Sequence, residues 1–282
     1  MELEAFNPSK EFKPGLYDGV SNSDYHASSA IGSTSLKIAG ESMHLYKLSI
    51  DGNLPFNVTD AIRLGTTVHK RVLEPETFNE DIAIKPDLPW SKANKIILQE
   101  FADVNQGKTI ITKDQAEISR LMCESVRSHP EVIEMGLLSN SNEFESSGFY
   151  VDQGTGLSCK YRPDVKSSWM LADLKTTVDV SPSGFSRTIQ KFGYHISAAH
   201  YLEGERQLFG LNHEQFIFIV VSSKYPFSVA VYTLDECSLQ RGYELRERYL
   251  ARINDCTEKG VWPLMNGGGS QSIGIPNWGY YD

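Results

Sequence analysis

Asp164, Asp173 and Lys175 flank an apolar run, Trp169–Ala172, in the stretch RPDVKSSWMLADLKTT at 162–177. One reading is two strands with solvated ends. The other is a metal site on a sheet edge. On a strand, residues two apart share a face, so Asp173 and Lys175 project together. If the strand ending at Asp164 is a neighbour, its carboxylate meets them. Two hard oxygen ligands and one ammonium then occupy one place. Mg2+ takes carboxylates together with water and phosphate oxygens. An ammonium beside it orients the attacking water and stabilises charge on phosphate.

The flanking sequence supplies elements that can hold such a site. The first ~55 residues are punctuated by Gly, Ser and Pro, with a short Ser- or Thr-capped helix in GSTSLKIAG. NVTDAIRLGTTVHKRVLEPE reads as a helix with Ala61, Gly65, Val68 and Val72 on one stripe, stopped by Pro75. A second helix places Ala93, Ile97, Phe101 and Val104 in line. A third opens on a Thr112–Gln115 capping box and closes at Pro130. EFESSGFYV and LSCKYRPD then form a hairpin across GTG at 154–156. WMLADLKTT follows as a buried strand. Two helices broken near Gly193, two strands (QFIFIVVSS and FSVAVYTLD) and a long closing helix complete an α/β sheet flanked by helices. The end of the chain reads as a loop with exposed aromatics.

Composition limits the function classes. The 282 residues are 40% hydrophobic and 22% charged, ordinary for a globular chain. No stretch approaches the ~20 apolar residues of a membrane span. The acidic, polar start lacks the features of a signal peptide, so the expected location is cytoplasmic. Cys123, Cys159, Cys237 and Cys256 form no CxxC pair, which argues against a zinc ribbon, an iron–sulfur centre and a disulfide framework. The net charge of −9 argues against a general nucleic-acid coat, though not against a local basic channel.

RPD followed by DLKTT resembles the PD-(D/E)xK nuclease signature. Together with DGVSNSDYH (18–26), LGTTVHKRVLEPE (64–76), TGLSCKYRPD (155–164) and WPLMN…IPNW (262–278), it resembles the RecE family, exonuclease VIII, of phage and prophage recombination. The likeness spans most of the chain. It implies a restriction-endonuclease-like core related to lambda exonuclease, with a central mixed β-sheet flanked by helices. One nuclease domain, 1–282, would comprise an extension (1–56), a core (57–260) and a tail (261–282). The implied activity is 5′→3′ double-strand DNA exonuclease, leaving 3′ single-stranded tails for annealing. The implied cofactor is Mg2+ or Mn2+, two ions per site. The implied partners are double-stranded DNA ends, further copies of the chain in a ring, and a RecT-type single-strand annealing protein.

Carried over by motif, Asp164 and Asp173 are metal ligands, Lys175 is the catalytic lysine, and the Leu174 carbonyl faces the metal. Glu145 matches an acidic family position before the TGL turn, with Glu143 as its competitor. His69 matches an active-site histidine, to bind metal or orient a carboxylate or water; the residues alone favour a core histidine. Arg162, Arg187 and Lys191 are phosphate contacts or solvated charges. Tyr194 and Tyr201 stack on DNA or pack in the core. The family pattern YxxQxxxY appears as YHISAAHY, with Ser197 where glutamine is expected and too short to replace it. Two rival readings follow. One is an endonuclease of the same superfamily. The other, resting on Ser197, is a non-catalytic DNA-end binder.

Overall fold

A computed structural model describes residues 13–55, 57–213, 215–265 and 270–280. The acidic start of the chain, residues 1–12, and the glycine run of the tail, 266–269, lie outside the described residues. The chain opens with β1 (Gly15–Tyr17), α1 (Asn22–Ala27), α2 (Ser33–Glu41) and α3 (Met43–Ile50). Then come α4 (Asp60–Leu73), α5 (Phe78–Asp81), β2 (Ile82–Ile84), α6 (Lys92–Val104), β3 (Thr109–Ile111), α7 (Lys113–Ser128) and α8 (Pro130–Glu134). The centre holds β4 (Glu143–Phe144), β5 (Ser147–Val151), β6 (Ser158–Tyr161), β7 (Val165–Lys166) and β8 (Met170–Thr177). The last elements are α9 (Pro182–Phe192), α10 (Tyr194–Phe209), β9 (Gln215–Ser222), β10 (Val229–Thr233) and α11 (Glu236–Lys259).

The main sheet runs β10-β9-β8-β7-β4 and is mixed: β8 and β9 are parallel, the other pairs antiparallel. Its centre is covered on both faces, which is why β8 and β9 read as near-continuous apolar runs. Ala172, Leu174, Ile217 and Ile219 pack with Val68 and Val72 of α4 and Met122 and Val126 of α7. Leu171, Phe216, Phe218 and Val220 pack on the opposite side with Phe185 of α9 and Ala198 of α10. The expected α/β sheet between helix layers is therefore present. A second sheet, β1-β5-β6, carries the hairpin.

Several local expectations need correction. EFESSGFYV is not one strand: it breaks after Phe144, β4 joins the main sheet, and β5 joins the second. The break falls at Glu145, whose φ of 53° lies in the left-handed region that non-glycine residues seldom adopt. The cap of α2 is Gly32, with no side-chain bond, not a Ser or Thr. On α4, Val68 and Val72 are buried as the stripe requires, but Ala61 is exposed. The stripe on α6 faces solvent, with Ile97 45% and Val104 83% exposed. The parallel β2–β3 ribbon, whose strands α6 joins along the chain, has two strands, and no α6 side chain is buried. The opening segment holds more regular structure than its punctuation implies: β1, α1 and α3 all form there. The Thr112–Gln115 capping box on α7 is formed in full. All four cysteines are free. No described helix is long and apolar enough to cross a membrane.

Candidate metal centre

β7 is only two residues long, pairing Val165 with Ala172 and Lys166 with Leu171 of β8. Beyond its end, β8 continues with one edge unpaired. Asp164 sits at that end and its Oδ2 accepts the Leu174 amide at 2.6 Å. A side chain thus replaces the missing strand. The carbonyl of a strand residue points to the same edge as its amide, so the Leu174 carbonyl also faces this gap. On the other side of β7, β4 pairs Phe144 with Val165, and the Glu145 amide donates to the Asp164 carbonyl at 3.3 Å. That bond fixes Glu145 beside Asp164 before the left-handed turn carries the chain into β5.

From the α4 layer, His69 brings Nδ1 to 3.4 Å from Asp164 Oδ2. One ligand atom each from His69, Glu145 and Asp164 can be chosen within 4.8 Å of one another. Alternation along β8 sends Asp173 and Lys175 to the opposite face, toward α10. There Lys175 Nζ lies 2.8 Å from Asp173 Oδ2 and 5.3 Å from the centre of the Tyr194 ring. The site therefore wraps around a strand edge: an imidazole on one side, an ammonium on the other, and Asp164 in the plane between them.

The charges interact strongly because the site is largely buried. Burial, then the charge of Asp164, push the Glu145 carboxyl up to about 7. Burial also raises Asp164, but His69, Lys175 and the Leu174 amide outweigh it and hold that carboxyl below its ordinary range. Asp173 is held above its ordinary range, chiefly by burial; Lys175 opposes this and Asp164 adds to it. Burial disfavours the charge on Lys175, but Asp173 and Asp164 more than offset it and its pKa rises. For His69, too, burial is outweighed by Asp164 and the pKa rises. Three crowded carboxylates face one ammonium and one imidazole, an excess of negative charge that suits a divalent cation. The two carboxylates are hard oxygen donors that suit Mg2+ or Mn2+, whereas the imidazole is a donor more usual for zinc, iron or copper. Asp173 stands outside this trio, its carboxylate held by Lys175.

Of the residues expected to reach DNA, Arg187 and Lys191 line an exposed groove with Thr176 and Thr177, just past Lys175. Arg162 is spent within the protein instead. It is buried, donates to Ser147, Asn22 and the Val20 carbonyl at 2.8–2.9 Å, and stacks over Tyr25. Those bonds tie the N-terminal loop to the hairpin and use three of the five N–H donors. Tyr201 packs among Tyr161, Phe216 and His200, the core alternative. Tyr194 packs on Phe185 and Phe218 and presents its ring to Lys175. Ser197 is buried, and its Oγ accepts a hydrogen bond from Lys37 Nζ at 3.3 Å. Glu143 is half exposed and lies 3.6 Å from Lys166, away from the trio. Sequence reasoning missed Lys37, which comes from α2 and carries no local motif.

A family model described as a PDDEXK-like domain of unknown function (DUF3799) matches residues 33–272. A solved structure from Eubacterium rectale, provisionally named an exonuclease, aligns with a TM-score of 0.60 at 13% identity, covering 89% of this chain and 92% of that one. At that identity the likeness is one of fold. A second solved structure, SSO0001, covers 49% of this chain and 68% of that one at 18% identity; with a TM-score of 0.27 it carries no argument. Curated proteins give no significant match.

Proposed function

The chain belongs to the PDDEXK-like family, and from that premise we propose a metal-dependent deoxyribonuclease of the RecE, exonuclease VIII, type. It digests duplex DNA from 5′ ends and leaves 3′ single-stranded tails for recombination by annealing. The observation that carries this reading is the convergence of His69, Glu145 and Asp164 next to the Asp173–Lys175 pair. His69, Glu145 and Asp164 would hold Mg2+ or Mn2+, with Asp173 and the Leu174 carbonyl completing a place for a second ion across Asp164. Bound there, such ions lower the pKa of a water and neutralise the leaving oxygen. Lys175, fixed by Asp173, donates to the attacking water or to a non-bridging phosphate oxygen as negative charge grows. Arg187 and Lys191 hold the strand beyond the site.

The wider reading is one nuclease domain acting in the cytoplasm as a homo-oligomeric ring on double-stranded DNA ends, alongside a RecT-type annealing protein. Its support is the ordered set of motifs across the chain. The test is digestion of linear duplex labelled at the 5′ or the 3′ terminus, with and without Mg2+. The expected result is Mg2+-dependent early release of the 5′ label. Early release of the 3′ label overturns the polarity. Tight binding to ends without any Mg2+- or Mn2+-dependent cleavage replaces the enzyme with a DNA-end scaffold.

A further inference from the structure

Lys37 projects from α2 toward the face of β8 that carries Asp173 and Lys175. Its aliphatic stem crosses the backbone where α9 meets α10: a Cβ on Gly193 would lie 3.0 Å from its Cδ and 3.2 Å from its Cγ. Its ammonium donates to Ser197 Oγ at 3.3 Å and lies 5.9 Å from the centre of the Tyr194 ring. Lys175 Nζ lies 5.3 Å from that same ring centre. Two ammonium groups from different elements are thus gathered around one aromatic side chain. Lys175 has Asp173 as its counter-ion, whereas no carboxylate among the described residues pairs with Lys37.

We propose that Lys37 is a second phosphate-binding residue of the site, contacting the DNA backbone next to the phosphate that Lys175 serves, with Ser197 and Gly193 as its positioning residues. The proposal rests on the nuclease reading above. The stem is half-buried and its path is set by Gly193. The head has one neutral hydrogen-bond partner, so two of its three donors remain for an anion. Lys37 also lines a groove of about 580 Å³ with Gln190, Lys191, Phe192 and Tyr194. A strand leaving Lys175 along this groove would meet both Lys37 and Lys191. Burial, then the charge of Lys175, push the Lys37 pKa down to about 8, while Asp173 acts the other way. Both catalytic-face groups are therefore felt at this ammonium. A phosphate there relieves the repulsion between the two lysines. The same placement gives Ser197 a purpose that its short side chain could not serve by reaching substrate itself.

The test compares the full-length protein with Lys37→Met, which keeps the stem, and Lys37→Arg, which keeps the charge. Cleavage of a duplex oligonucleotide is measured with Mg2+. Binding of the same duplex is measured with Ca2+ in place of Mg2+, from about 50 to about 200 mM KCl. Lys37→Met is expected to lower kcat/KM by about tenfold or more, as for loss of a charge-assisted bond. It is also expected to reduce the slope of log affinity against log salt by about one. Lys37→Arg is expected to recover most of both. A Lys37→Met protein with unchanged kcat/KM and salt slope overturns the proposal. So does equal loss of cleavage in both variants with an unchanged slope, which marks a packing role. If the unsubstituted protein cleaves nothing with Mg2+ or Mn2+, the nuclease reading fails, and the salt slope still decides whether Lys37 binds phosphate.

Discussion

Glu145 and Lys175 stand at the two ends of one electrostatic problem. Glu145 is a largely buried carboxyl pushed up to about 7 by burial and by Asp164. Without a cation, its charge costs stability; with one, the same charge becomes binding energy. Glu145→Gln is therefore expected to raise the melting temperature of the metal-free protein, by on the order of 1 kcal/mol of stability. It is also expected to shrink the rise in melting temperature that Mn2+ produces in the unsubstituted protein. Thermal melts with and without Mn2+ check both, and an undiminished Mn2+ shift would remove Glu145 from the ligand set. Lys175 pairs with Asp173 rather than with the trio, and in the proposed mechanism it serves the reacting phosphate. Lys175→Ala is expected to keep most Mn2+ affinity while losing about 10²–10³ in cleavage rate, the range for a lost charge-stabilising donor. Calorimetric Mn2+ titration beside single-turnover kinetics separates the two effects. Cleavage at the unsubstituted rate would show that the catalytic cation lies elsewhere.

At the scale of elements, β8, the α7 capping box and the Gly193 break were legible because each is a local pattern: an apolar run, a Thr–Gln spacing, a glycine between two amphipathic stretches. The strand break at Glu145 was not. Nothing in EFESSGFYV marks a left-handed residue, and the turn exists because β4 and β5 join different sheets. Arg162 and Lys37 mislead for the same reason in opposite directions. Their surroundings come from segments more than a hundred residues away, which bury the first and deliver the second to the site. His200 is another such residue, read only as part of an α10 helix. Its Nε2 faces the Lys160 carbonyl at 3.0 Å, which can only accept, so Nε2 carries the proton. Nδ1 then accepts from the Tyr150 hydroxyl at 3.2 Å, and Arg246 donates to Tyr150 at 3.1 Å and also pairs with Asp152. This chain of bonds fastens the β5–β6 hairpin to α10 and α11. Burial, then the charge of Arg246, push the His200 pKa down from 6.5 to about 3. The unfolded chain therefore takes up this proton first as pH falls. Stability from this group is full above about pH 6.5 and is lost below it, at about 1.4 kcal/mol per pH unit toward pH 3. Urea midpoints are expected to fall more steeply between about pH 6.5 and pH 4 than in His200→Gln, which cannot charge. Parallel pH profiles would show that His200 accepts its proton in the folded state.

At the scale of the whole molecule, the charge balance bears on how DNA is held. The chain carries 36 acidic against 27 basic residues. Several of those cations are committed to protein: Arg162 to the N-terminal loop, Arg246 to Asp152, Lys166 to Glu205. The chain as a whole is acidic, and its net negative charge disfavours a duplex laid across its outside. The proposed ring would resolve this, since only its bore need be basic, and closed symmetric assembly is the usual form of a homo-oligomer. Threading then requires an end. The protein is expected to degrade linear duplex while leaving the same molecule, covalently closed, intact. Its mass by light scattering at micromolar concentration is expected to be a closed multiple of 31.6 kDa. Mutual support between the two measurements matters, because end dependence alone also fits a monomer that recognises a terminus. A strict monomer that spares circles would place end recognition within one chain and remove the ring. Cleavage of the closed circle at a rate near that of the linear form would instead make the protein an endonuclease, with the same metal centre reached from the side of the duplex.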